Sequence, residues 1–235
     1  MASSSSVKTV LLVGASRGLG LGLALEYLRR GWRVIATVRK IDRASPLRGA
    51  NDEENGRLEV EVLDINLPEQ VTALRQRLGS RRIDLLFVNA GVMSPPYENI
   101  GNVTTEEFTR VLVTNALSPL RVVELFASLV PAGGTIAVMS SGMGSAANNL
   151  KGEAEVYRAS KVALNSLMRS FAARETAVPR TLLAMDPGWV RTDMGGQRAP
   201  LDVETSVRGM IDVIDARMGQ AGMAFINYKG DTVPW

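Results

Sequence analysis

Short aliphatic and β-branched runs recur along the chain near residues 8–13, 33–38, 58–63, 83–88, 134–140, 181–185 and 222–226, each of strand length. Between them lie longer segments with apolar residues spaced by three and four: Gly18 to Arg30, Glu69 to Leu78, Thr104 to Val130, Ala154 to Glu175 and Val203 to Met218. That spacing is the helical period. Strand runs that alternate with helical segments build βαβ units, whose strands lie parallel. The pattern predicts an α/β fold: a doubly wound seven-stranded parallel sheet with helices on both faces. We expect one domain over residues 8–235 behind a flexible tail of residues 1–7. Ligands in such sheets bind outside the carboxyl ends of the strands, so the residues closing each strand are the first candidates. Pro95-Pro96 and Gly195-Gly196 read as loops on that rim.

Composition narrows the chemistry. A chain of 235 residues, 46% of them hydrophobic, can bury a substantial core. The 27 basic and 24 acidic residues leave a net charge of +3, too small and too evenly spread for nucleic acid as the main partner, yet compatible with an anionic cofactor. The chain has no cysteine and no histidine, which excludes disulfides, the usual zinc sites and any Ser-His or Cys-His catalytic arrangement. We expect no metal, and chemistry carried by Ser, Tyr, Lys, Asp, Glu or Arg. The apolar runs fall short of the roughly 20 residues a bilayer needs, and the Ser3 to Ser6 tract lacks signal-peptide features. A soluble cytoplasmic protein without a membrane partner is expected.

The first strand feeds GASRGLG, residues 14–20, which opens a helix. A glycine-rich turn between strand and helix points backbone N–H groups and a helix dipole at a phosphate. The second strand ends in Arg39 and Lys40, where an acidic residue would normally meet a ribose 2′-hydroxyl. Arg17 and Arg39 suit a 2′-phosphate instead, which selects NADP over NAD. Asp42 is the rival ribose ligand. Asp64, closing the third strand, can accept from an adenine amino group or cap the following turn. After the fourth strand, Asn89-Ala90-Gly91 is small enough for backbone to pass beneath a flat ring. The fifth ends at Ser140-Ser141, and Tyr157 precedes Lys161 by one helical turn, so ammonium and ring share a face. A nearby cation is expected to lower the tyrosine pKa and fit it for proton transfer with an alcohol or carbonyl oxygen.

Together these motifs resemble the short-chain dehydrogenases/reductases over nearly the whole chain. They occur in that family's order: G-x-x-x-G-x-G at Gly14, Gly18 and Gly20, N-A-G at Asn89 to Gly91, Asn115, Ser140-Ser141, Tyr157 with Lys161, and Pro187-Gly188 with Thr192. The resemblance implies a Rossmann-type fold and an NADP(H) cofactor. Its site would comprise Gly14, Ser16, Arg17, Gly18, Leu19, Gly20, Arg39, Asp64, Ile65, Asn89, Ala90 and Gly91, then Tyr157, Lys161, Pro187, Gly188, Val190 and Thr192. It further implies that Asn115 holds a helix bend and a water linked to Lys161, that Ser141 orients a substrate carbonyl, that Tyr157 donates the proton, and that Lys161 also binds the nicotinamide ribose. Thr192 and the Val190 backbone would hold the carboxamide.

Within the family, Ser141 to Ser145, Tyr157 to Asn165, Asp186 to Gly196 and the ending Tyr228 to Trp235 are similar to the C-factor and Sniffer-type carbonyl reductase branch. Two departures stand out: Asp186 where many relatives carry histidine, and a longer loop between Ser141 and Tyr157. The loop leaves Ser140 or Ser141 to face substrate; we take Ser141. The expected reaction is NADPH-dependent reduction of a ketone or aldehyde, with a small-molecule carbonyl substrate near Met93, Ser141, Met143, Trp189 and Met194. That apolar rim favours uncharged hydrophobic compounds. The other reading is a nucleotide-binding signalling or scaffold protein of the C-factor type. The long helices carry apolar residues on more than one face, so a homodimer or homotetramer is expected.

Overall fold

The computed structural model describes residues 7–41, 47, 49, 56–95 and 99–235; the serine tract, Asp42 and Pro96 lie outside the described residues. The strands are β1 (Thr9–Val13), β2 (Arg33–Val38), β3 (Leu58–Val62), β4 (Leu85–Val88), β5 (Thr135–Met139), β6 (Thr181–Asp186) and β7 (Gly222–Asn227). They form one seven-stranded sheet ordered β3-β2-β1-β4-β5-β6-β7, every adjacent pair parallel. The helices that cover it are α1 (Gly18–Arg29), α2 (Pro68–Leu78), α3 (Thr105–Leu112), α4 (Ser118–Phe126), α5 (Glu155–Arg174) and α6 (Val203–Arg217).

Alternate residues of β1 serve opposite cores. Leu11 and Val13 pack with Leu74 of α2, Phe126 of α4 and Met168 and Phe171 of α5. Val10 and Leu12 pack with Leu23 and Tyr27 of α1 and with Met210 and Ile214 of α6. Burial on both faces explains why the strands read as unbroken apolar runs instead of alternating ones. The chain winds outward from β1 to β3, then crosses to β4 and winds the other way to β7. The reversal between β1 and β4 opens a crevice at their carboxyl ends.

The helix expected over Thr104 to Val130 is divided. A π-helical turn, Val113–Leu117, separates α3 from α4, and a 3-10 turn, Ala127–Leu129, ends the segment. Pro119 supplies the physical reason: it has no N–H to donate, and its ring crowds the carbonyl four residues back, that of Asn115. The hydrogen-bond ladder widens there. By length and composition Thr105–Leu129 would suffice to cross a bilayer, its most apolar 18 residues having mean hydropathy 1.3, but 61% of those 18 are buried inside the molecule. It is a core element of the sheet's cover.

On the opposite face, α1 and α6 are joined by charge. Glu26, nearly buried, accepts from Arg29 at 2.7 Å and from Arg30 at 2.9 Å, while Arg30 also reaches Asp212 at 2.7 Å and Asp215 at 3.2 Å. Hydrogen bonds from Arg29 hold the Glu26 carboxyl down to about 2, against burial, with Arg30 adding to the effect. A carboxyl pKa depressed by folding stabilises the native state above its unfolded value, and the contribution is lost as pH falls through the folded value. Denaturant titrations are therefore expected to show stability declining from about pH 5 toward pH 2. Glu26→Gln should be less stable at neutral pH and show a shallower decline; a slope identical to the parent's would contradict this.

Candidate active site

The carboxyl ends of β1, β2, β4, β5 and β6 bring the expected residues to one rim. Three hydrogen bonds shape the glycine turn after β1. Thr37 of β2 accepts from the Gly14 N–H through its hydroxyl at 3.0 Å and from the Ala15 N–H through its carbonyl at 2.8 Å. The Asn89 amide, just past β4, donates to the Gly14 carbonyl at 2.7 Å. Gly14 has φ +92° and Gly18 φ +54°, both in the left-handed region that favours glycine. Gly20 is required for another reason: a Cβ there would run into the Gly14 carbonyl oxygen and lie 2.6 Å from the Asn89 amide nitrogen. This lets α1 begin against the end of β1. Arg17, at its N-cap, places no side-chain oxygen over the first turn, so the turn's N–H groups face the crevice uncapped. A dinucleotide pyrophosphate fits that cradle in shape and charge.

Arg17 and Arg39 are both exposed at the crevice edge. Arg17 pairs with Asp193 at 2.8 Å, with side-chain exposures of 71% and 77%. So open a pair is worth little, and a phosphate can displace it. Asp64 is half-buried and caps its own turn, accepting from the Asn66 N–H at 2.9 Å. Ile65 is buried beside it. The Ala90 N–H donates to Val13, and Gly91 lies beside Asn115, where a Cβ would come 3.2 Å from its side-chain oxygen.

Asn115 is fully buried in the π turn. It exchanges hydrogen bonds with the Val92 backbone, accepting and donating at 2.7 Å, and donates to the Ser160 hydroxyl at 3.0 Å. Ser160 in turn donates to the Tyr157 carbonyl at 2.7 Å. Asn115 thus ties the loop after β4 to α5. The two serines part company: Ser140 points inward and donates to Asn165 at 2.7 Å, whereas Ser141 is half-buried, accepts from the Met143 N–H at 3.1 Å and lies on the Tyr157 side of the loop. Asn165 also donates to the Gly144 carbonyl at 3.1 Å, which pins the loop after β5.

Lys161 is buried, its ammonium donating to the Met139 carbonyl at 2.8 Å and lying 5.6 Å from the centre of the Tyr157 ring. The expected lowering of the Tyr157 pKa does not occur. Burial pushes it up to about 12; the Ser141 hydrogen bond opposes the rise and the Asp186 charge adds to it. The ammonium sits beside the ring and is turned toward a carbonyl, so desolvation of the phenolate prevails over the cation. Burial also lowers Lys161, to about 8.

Past β6, Thr192 accepts from the Gly195 N–H at 3.0 Å, Val190 bridges to Leu201, and Gly188, at φ +76°, packs under Tyr228. Pro187 is buried, and its carbonyl accepts from Ser206 of α6 at 2.7 Å. Met93 and Met143 are half-buried, while Trp189 and Met194 are exposed at 56% and 45%. Sequence reasoning passed over Thr37, Ser160 and Asn165. Asn165 had a signal, one helical turn beyond Lys161; Thr37 had none, because its partners come from another strand.

Fold and crevice define a dinucleotide-binding α/β protein with a Ser-Tyr-Lys cluster at the strand ends. The short chain dehydrogenase family model matches residues 8–201, and the chain belongs to that family. A Burkholderia multivorans protein assigned to the short-chain dehydrogenases/reductases, crystallised with bound NADP, is 50% identical with a TM-score of 0.95, covering 98% of this chain and 100% of that one. A carbonyl reductase from Pseudomonas aeruginosa PAO1 in complex with NADP is 40% identical at TM-score 0.90, with coverage of 98% and 100%. C-signal of Myxococcus xanthus is 39% identical over 155 residues, 65% of this chain and 93% of that protein.

Because Gly20 leaves no room for a methyl group, Gly20→Ala is expected to part α1 from β1. Calorimetric titration should show dinucleotide binding weakened at least tenfold, with a lowered Tm from overpacking of about 1–3 kcal/mol. Unchanged affinity would mean that the turn is not the phosphate cradle.

Proposed function

We propose that the chain is an NADPH-dependent carbonyl reductase that converts a ketone or aldehyde to an alcohol, reversibly. Ser141 and Tyr157 gathered beside buried Lys161, whose ammonium lies 5.6 Å from the Tyr157 ring centre at the mouth of the glycine-turn crevice, carry this reading. The NADP-bound relatives support the cofactor. When bound, NADPH supplies the hydride. The residues of this chain do the rest. Gly14, Ser16, Gly18, Leu19 and Gly20 cradle the pyrophosphate, and Asp64, Ile65, Asn89, Ala90 and Gly91 line the adenosine and ribose side. Pro187, Gly188, Val190 and Thr192 fix the carboxamide, and Lys161 the ribose.

Ser141 holds the substrate oxygen next to Tyr157. With its pKa near 12, Tyr157 is a phenol throughout the neutral range. That is the form a proton donor needs, and transfer to a developing alkoxide remains downhill. Asn115 acts through Ser160 and Val92, keeping α5 and the loop after β4 in register. Met93, Met143, Trp189 and Met194 form an apolar rim suited to uncharged hydrophobic carbonyl compounds. The same reading takes the enzyme as a cytoplasmic homodimer or homotetramer. Leu117, Leu125 and Leu167, exposed at 40%, 37% and 40%, offer apolar surface to a partner copy. The similarity to C-signal favours a second reading, a nucleotide-binding signalling protein.

Two experiments test the proposal. Tyr157→Phe is expected to keep fold and NADPH affinity while turnover of ketones falls about 100-fold or more. Lys161→Ala should lose affinity and rate together. A Tyr157→Phe protein as fast as the parent would refute the assignment, and a parent that binds NADPH but reduces nothing in a broad carbonyl panel would favour the signalling reading. For the cofactor, each charge-assisted bond from Arg17 or Arg39 to a 2′-phosphate is worth about 1.5–3 kcal/mol, so NADPH should bind at least tenfold more tightly than NADH. Arg39→Asp should invert that order; equal affinities in the parent would overturn it.

A further inference from the structure

Ser141 stands on a short stretch of chain that one buried side chain grips at both ends. Asn165 of α5 accepts from the Ser140 hydroxyl at 2.7 Å and donates to the Gly144 carbonyl at 3.1 Å. Ser140, Gly144 and Asn165 are all buried. A Cβ on Gly144 would come 2.9 Å from the Asn165 amide nitrogen, 3.0 Å from the Ser140 hydroxyl and 3.1 Å from the Lys161 Cβ, so the loop backbone lies directly against α5.

Between the two grips the chain closes on itself. The Gly144 N–H donates to the Ser141 carbonyl at 2.7 Å, the Ser145 N–H to the Gly142 carbonyl at 3.2 Å, and the Met143 N–H to the Ser141 hydroxyl at 3.1 Å. Gly142–Gly144 form one 3-10 turn, and a single turn is too short to hold its own position. Its place is set by what it is bonded to outside. Asn165 follows Lys161 by one turn of α5 and Tyr157 by two, so the three share a face of that helix. The clasp therefore ties the position of Ser141 to the helix that carries Tyr157 and Lys161.

We propose that Asn165 is a positioning residue for the reaction: by holding Ser140 and Gly144, on either side of Ser141, it sets the level along α5 at which Ser141 and Tyr157 can meet one substrate oxygen. The inference rests on the assignment of Ser141 and Tyr157 to that oxygen. A side-chain amide suits the task because it accepts and donates at once. An aliphatic residue of equal size would leave a buried hydroxyl and a buried carbonyl unpaired.

The test is a double-mutant cycle of the parent, Asn165→Ala, Ser141→Ala and the double variant, assayed with an aryl alkyl ketone and NADPH. Asn165→Ala alone should lower kcat about 10- to 100-fold, as a misplacement of about 1 Å does. NADPH affinity should stay within about twofold, because the glycine turn is held by Thr37 and Asn89. In the Ser141→Ala background the same substitution should cost no more than about threefold, since the group it misplaces is gone. Equal losses in both backgrounds, as from a merely structural role, would overturn the proposal. Ser140→Ala is the milder variant: it removes one grip, leaves the other, and should give a smaller loss of kcat that also vanishes without Ser141. Failure of the catalytic reading is told apart by amide hydrogen exchange, which needs no substrate. In Asn165→Ala the Met143, Gly144 and Ser145 amides should exchange about tenfold faster, while those of Gly14 and Ala15 stay as in the parent. Unchanged exchange at the first three would overturn the clasp whether or not any carbonyl is reduced. Faster exchange in a protein whose parent reduces no ketone would keep the clasp and overturn the catalytic reading together with the role built on it.

Discussion

The site depends on how closely α1 starts against the end of β1. Gly20 lies on the Gly14 carbonyl, and the Asn89 amide bonds to that same oxygen, so one backbone group joins the glycine turn, the helix behind it and the strand across the crevice. Thr37 anchors the turn from the other side. Three neighbouring strands thus fix where an anion meets the helix dipole. The parallel sheet does the rest of the gathering: with every strand pointing one way, residues far apart in sequence end on a common rim.

Within that rim, burial decides the chemistry more than charge. Tyr157 and Lys161 are one helical turn apart, which invites a cation-stabilised phenolate, but both are out of water and the ammonium is engaged by Met139. Each is pushed toward its neutral form. A phenol that stays protonated keeps a proton it can donate, and Ser141 lies on the same side of the loop.

The widened turn around Asn115 shows a local irregularity serving the same site. Pro119 breaks the ladder, and the break lets Asn115 reach Val92 and Ser160 at once. The prolyl residue was visible in the sequence, inside an otherwise unbroken helical pattern, and the position of the bend follows from it. Which partners Asn115 would find was not visible, since Val92 and Ser160 come from other elements.

Strand and helix positions, the parallel order of the sheet and the residues at the strand ends were legible from periodicity and glycine placement, because those are set by local backbone preference and by burial on both faces of each strand. So was the pairing of Tyr157 with Lys161, fixed by helical geometry. The sign of the Tyr157 shift, the inward turn of Ser140 against the outward one of Ser141 and the Arg17–Asp193 pair were decided only by the tertiary structure. Each depends on which distant groups share a dehydrated volume, and desolvation is a property of the packed interior that no local stretch of chain contains.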